Sequence, residues 1–94
     1  MVIRNSGINP NEQKADVRKK TEKRVLMLYN DDVNTFDFVI KTLVEICNHN
    51  PEQAEQCAFI THHKGRCDIK IGTFDYLKPM KNILSERGLS VTIE

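Results

Sequence analysis

Five apolar residues in a row, Val25-Leu26-Met27-Leu28-Tyr29, run straight into Asn30-Asp31-Asp32. An apolar run that short, ended by polar residues, reads as a strand of the fully buried kind and so as a central strand. The polar triplet then falls on the loop between that strand and the next element. Two carboxylates and a carboxamide on such a loop form an acceptor cluster suited to an ammonium group or a hard metal ion.

Downstream, two helix starts follow in quick succession. Asn34 reads as an N-cap with Asp37 three residues on, an approximate capping box, and Phe36, Val39, Ile40, Leu43, Ile46 and Cys47 recur at helical spacing to an end near Asn48. Asn50 caps the second helix, with Pro51 at its first position, Ala54, Cys57, Ala58 and Thr61 on one face, and Gly65 as its stop. Cys67, Ile69 and Ile71 alternate with Arg66, Asp68 and Lys70, the pattern of a half-buried strand. A third helix covers roughly residues 75–87 and ends at Gly88; Pro79 within it requires either a start only near Lys78 or an irregular first turn. Leu89, Val91 and Ile93 alternate in a last strand, which completes a β-α-α-β-α-β order without internal repeat.

Residues 1–23 show neither period and carry six basic and three acidic side chains, and are expected to be a disordered N-terminal extension. Residues 24–94 carry eight basic and ten acidic side chains and form the domain. That mildly acidic balance disfavours nucleic acid as a partner. Cys47, Cys57 and Cys67 lack the paired spacing of a zinc ribbon or disulfide framework and read as reduced core thiols of a cytoplasmic protein. No apolar run approaches the ~20 residues of a membrane span, and no signal-peptide core opens the chain. A soluble monomer without membrane association is expected.

The two helices are each about 14 residues, or ~20 Å, long and are joined by one or two residues. Such a hairpin returns the end of the second helix to the start of the first, so His62 should approach residues 30–34. A carboxamide, two carboxylates and an imidazole would then converge beside Phe36, Val39 and Ala58, a setting for a ligand with a cationic head and an apolar body. Plainer readings stand beside this one. Asp31 and Asp32 suit a helix start, where negative charge is favoured, and His62 suits a helix end, where it can meet the last carbonyls. An EF-hand is excluded, because Thr35 stands in place of the required Gly and Lys41 in place of the bidentate Glu. Zinc on Cys57, His62, His63 and Cys67 has no supporting spacing. No cofactor is expected, and His49 and His63 read as solvated.

The same residues carry a resemblance. Val25 to Asp32, then Phe36-Asp37-Phe38-Val39-Ile40, then His62-His63-Lys64-Gly65 at a fixed interval, resemble the ClpS adaptor family over residues 24–94. The resemblance implies a small α+β fold similar to the C-terminal domain of the ribosomal stalk protein, a three-stranded sheet backed by three helices. It also implies an adaptor, not an enzyme, that binds proteins beginning with Leu, Phe, Tyr or Trp and hands them to a Hsp100 unfoldase, ClpA or ClpC, for degradation by ClpP. Carried over by position, Asn30, Asp31 and His62 would bind the α-amino group, and Asp32 and Asn34 would frame the loop around the ligand backbone. Phe36, Val39, Ala58, Thr61 and Leu89 would line the side-chain pocket, and Asp75 with Lys81 would contact the unfoldase.

The chain also departs from the family pattern. Phe36 stands where Met is usual, Asn34-Thr35 replaces a Thr-Pro pair, and Ala58 replaces a larger Met, so the shape of the pocket should differ. The third-helix region is shorter by about six residues than the family pattern that the resemblance implies. An interaction domain of the ribosomal-stalk type, without a ligand pocket, is the competing reading, and a small metal-assisted hydrolase a third. No nucleophile with an adjacent base supports the last.

Overall fold

The computed structural model describes residues 21–94, so the extension expected over residues 1–23 lies almost wholly outside the described residues. The elements follow in the expected order: β1 (Arg24–Tyr29), α1 (Phe36–Cys47), α2 (Pro51–Lys64), β2 (Arg66–Gly72), α3 (Phe74–Glu86) and β3 (Ser90–Ile93). β1 is the central strand, antiparallel to both neighbours in the order β2-β1-β3. It is not buried on both faces, however. Leu26 and Leu28 are 0% and 2% exposed, whereas Val25, Met27 and Tyr29 are half-buried. The helices supply Leu43, Ala54, Leu77 and Leu84 to one face of the sheet, where they meet Leu26, Leu28, Ile69 and Val91. Among the described residues the other face has no helix on it, and an antiparallel sheet covered on one side alternates in burial.

Helix α1 begins one residue later than expected. Thr35, not Asn34, is its N-cap, accepting the Phe38 N–H at 3.2 Å. Asp37 therefore sits at the second helical position, and no capping box forms. Asn48 closes the helix in the left-handed conformation at φ 59°. Helix α2 starts and stops as its sequence predicts. Asn50 accepts from the Gln53 N–H at 2.8 Å, and Gly65 at φ +92° returns its N–H to Thr61 O. Helix α3 starts at Phe74 behind the cap Thr73 and runs straight through Pro79, instead of beginning near Lys78. The one bond that Pro79 cannot make would have gone to the carbonyl of Asp75, an exposed residue in the first turn where water can serve it.

Strand β2 departs from simple alternation. Leu26 pairs with Lys70 and Met27 with Asp68, which leaves Ile69 as the extra residue of a β-bulge. Cys67 and Ile69 stay on the core face, but the bulge reverses the pattern beyond it, and Ile71, expected on the same buried face, is 57% exposed. Lys70 turns inward and donates from Nζ to the Cys47 carbonyl at 2.9 Å, at the end of α1.

His49, expected in solvent, is buried at 4% exposure. Its Nε2 lies 2.7 Å from the carbonyl of the bulged Ile69, a group without a partner residue on β1. The bulge thus creates the acceptor that draws the ring inward. The three thiols are free and buried, as expected. Burial pushes Cys47 up to about 11 and Cys67 up to about 12, so both are neutral and inert near neutrality. Among the described residues no group of three or more His, Cys, Asp or Glu is placed to hold a metal ion, and no helix is long and apolar enough to cross a membrane.

Candidate functional site

The hairpin of α1 and α2 closes as its lengths require. The Asn30 N–H donates to the Gly65 carbonyl at 2.9 Å, joining the loop after β1 to the end of α2. This bond brings His62, three residues before Gly65, to the loop from which it is separated by some thirty residues of chain. Between them lies a cavity of about 300 Å³ lined by Asn30, Asp31, Asp32, Asn34, Phe36, Val39, Ala58, Thr61 and His62, and also by Leu28 and Tyr29.

Two networks hold the loop. Asp31 Oδ1 accepts the N–H groups of Val33 and Asn34 at 2.8 and 2.7 Å, and its Oδ2 accepts from Asn34 Nδ2 at 2.9 Å. Asn34 Nδ2 also donates to the Gly88 carbonyl at 2.9 Å, which ties the loop to the α3–β3 junction. The bonds that hold the loop thus come from Asp31 and Asn34. Partial burial pushes the Asp31 carboxyl upward, but the hydrogen bonds from the Asn34 backbone, the Asn34 side chain and the Val33 backbone outweigh it. They hold the group below its ordinary value of 3.8. Of roughly four acceptor positions on the carboxylate, about three are filled, which leaves one for a ligand donor. Among the described residues the side chains of Asn30, Asp32 and His62 make no hydrogen bond. The polar rim thus has a charged centre already in place and several unused groups around it.

The apolar part is built from both helices and the strand. Val39 and Leu28 supply aliphatic surface, and Ala58, 4% exposed, leaves room for a large group. Thr61 spends its hydroxyl on the Cys57 carbonyl at 2.7 Å, so its methyl is its contribution to the cavity. Phe36 is 42% exposed, and its ring centroid stands 5.5 Å from that of His62, so the two form one side of the mouth. Tyr29 donates its hydroxyl to the Glu94 carboxylate. Sequence patterning places Leu28 and Tyr29 in a strand without showing that they reach this cavity; their position one and two residues before Asn30 is the signal that could have found them.

One residue expected in the cavity, Leu89, is placed elsewhere, and the two expected to contact the unfoldase, Asp75 and Lys81, lie on α3. Leu89 is 4% exposed within the hydrophobic core and does not line it. Asp75 lies exposed in the first turn of α3 and Lys81 is half-buried further along the same helix. Six residues of helix set these two ~9 Å apart along the axis and ~120° apart around it, and neither is among the residues that line the cavity.

Agrobacterium tumefaciens ClpS2, solved bound to L-phenylalaninamide, has a similar fold at a TM-score of 0.67 and 21% identity, over 80% of this chain and 96% of that one. The Campylobacter jejuni ATP-dependent Clp protease adapter protein ClpS is 40% identical over 58 residues, which is 60% of this chain and 60% of the relative. The match thus spans less than two thirds of that relative's length. The corresponding protein of Nitratidesulfovibrio vulgaris is 35% identical over 73 residues, 78% of this chain and 69% of the relative. Residues 19–92 match the family described as ATP-dependent Clp protease adaptor protein ClpS, and on that extent of match the chain belongs to the ClpS family.

Proposed function

We propose that residues 24–94 form an adaptor domain that binds proteins by a large hydrophobic N-terminal residue, Leu, Phe, Tyr or Trp, and delivers them to a Hsp100 unfoldase for degradation by ClpP. The ClpS family is one of adaptors and not of catalysts. The observation that carries the substrate reading is the cavity, which sets an ionised carboxylate at its rim and aliphatic surface beneath it. At about 300 Å³ it lies at the small end of ligand sites, so it suits one side chain rather than a peptide. Ammonium and side chain of a protein N-terminus diverge from one carbon atom, as the two halves of the cavity diverge from its mouth. The Agrobacterium tumefaciens relative was solved with a ligand of this chemistry, an aromatic residue with its α-amino group free.

In this reading the α-ammonium meets Asp31, Asn30 and a neutral ring nitrogen of His62, with Asp32 and Asn34 beside the ligand backbone. Phe36, Val39, Ala58 and Thr61 surround the side chain. Asp75 and Lys81 are offered to the unfoldase, of the ClpA or ClpC type, by α3. The adaptor works as a cytoplasmic monomer. The cavity favours this reading over a stalk-type interaction domain, which needs none. The test is a pair of peptides beginning with Phe, one with a free amino group and one acetylated. Binding of the first alone supports the proposal, and equal binding of both overturns it.

A further inference from the structure

We infer that a second groove, on the outer side of α1 and α2, is a subsite for the third residue of the same bound N-terminus, selecting an apolar side chain with basic neighbours. The inference rests on the reading of the first cavity as the holder of the N-terminal residue. The groove has a volume of about 550 Å³, and Phe36, Asp37, Ile40, Glu55, Phe59 and Ile60 are among the residues that line it. Its apolar surface is open, with Phe36 42%, Phe59 56% and Ile60 39% exposed.

Continuity selects the occupant. Phe36 is the common wall of the cavity and the groove. On α2, Phe59 stands one turn before His62, ~4.5 Å along the axis, and on α1, Ile40 stands one turn after Phe36. In an extended chain the first and third side chains share a face and lie ~7 Å apart. A first side chain held in the cavity therefore sends the third across Phe36 and into the groove.

Charge narrows the occupant further. Asp37 and Glu55 edge the groove and no basic side chain lines it. The ion pair within 4 Å among the described residues is Glu45 with Arg87, elsewhere on the surface, so neither Asp37 nor Glu55 is neutralised by a partner. Lys41, one turn beyond Asp37, lies outside the lining. A chain segment with Lys or Arg at its second or fourth position gains from this rim, and an acidic segment is repelled.

The experiment uses the full chain and fluorescence anisotropy of labelled peptides that all begin with Phe. With Arg at the second and Lys at the fourth position, Leu at the third should bind about fivefold more tightly than Ser, the effect of burying part of a Leu side chain in an open groove. Ile60→Ser should erase that difference while leaving intact the loss caused by acetylating the first residue. Ile60 is chosen over Phe59 because the Phe59 ring lies 4.1 Å from that of His63, which contacts His62. Glu55→Lys, an exposed change that should not affect folding, should reverse the preference for Lys over Asp at the fourth position. Equal binding of Leu and Ser peptides by a protein that still requires the free amino group overturns this inference alone. Indifference to acetylation overturns the reading of the first cavity instead. Concentration-dependent dimerisation abolished by Ile60→Ser would assign the groove to a second copy and overturn the subsite.

Discussion

Removing the Asp31 carboxylate should separate the loop-holding bonds seen in the structure from the ligand contact proposed for the same side chain. The group accepts three hydrogen bonds at 2.7 to 2.9 Å from Val33 and Asn34. Losing them in Asp31→Ala should cost ~1–2 kcal/mol of stability, since one is exposed and two are part-buried. The missing contact to a ligand ammonium should cost a further ~1.5–3 kcal/mol, or about 10- to 150-fold in Kd. Asp31→Asn keeps an acceptor for the two backbone N–H groups, so its stability loss should be smaller while the loss of charge is complete. Anisotropy titrations with a Phe-initiated peptide, free or acetylated, then form a thermodynamic cycle. Both variants should weaken the free-amine peptide and leave the weak binding of the acetylated one unchanged. If the folded variants bind the free-amine peptide as the parent does, or weaken both peptides equally, the carboxylate does not meet the ammonium.

Phe36→Ala should admit peptides beginning with Ile or Val, which the parent should bind poorly because a branched Cβ strikes the Phe36 ring; unchanged selectivity would remove Phe36 as the gate. Because the folded-state value of Asp31 is lowered, the stability it contributes is fully present above its ordinary value of 3.8 and is lost as pH falls through the lower folded-state value. Urea melts of the parent and Asp31→Asn should therefore begin to converge as pH falls below 3.8 and meet only once it has passed the lower folded-state value, and a gap that does not narrow on going below 3.8 would contradict the assignment. Deleting residues 1–23, which leaves β1 whole, should preserve thermal stability and peptide affinity but reduce degradation of a Phe-initiated substrate by unfoldase and ClpP. Full degradation would remove the extension from delivery.

Local chemistry was the most legible part of this fold. Asn50, Pro51 and Gly65 each act through neighbours within a turn, so the bounds of α2 follow from the chain itself, and the short Asn48–Asn50 link makes the approach of His62 to Asn30 a matter of length. The misplaced cap of α1 shows where that legibility stops. Asn34 and Thr35 are both good capping residues, but the Asn34 amide is engaged by Asp31 and by Gly88, the latter 54 residues away, a contact that the local sequence does not display. The bulge at Ile69 is likewise a property of the pairing with β1 and not of β2 alone. One inserted residue exposes Ile71, turns Lys70 inward and draws His49 into the core, three outcomes that alternation in β2 cannot encode. Leu89, just ahead of β3, is packed in the core and does not line the cavity, a distinction that alternation in the last strand does not give.

The place of β1 has a mechanical consequence. It is both the first strand of the domain and the middle one, bonded to β2 along its whole length and to β3 from Leu26 to Tyr29, with Val25 exchanging two further backbone bonds with Glu94. Among the described elements, a force applied at Arg24 therefore meets this doubly paired strand first. It must rupture two ladders together, and once they yield, the Asn30 to Gly65 tie goes with them. A machine that grips the N-terminal side of such a domain would tug against a strand held on both edges, and the Asn30 to Gly65 tie that shapes the cavity would feel the load only through that strand.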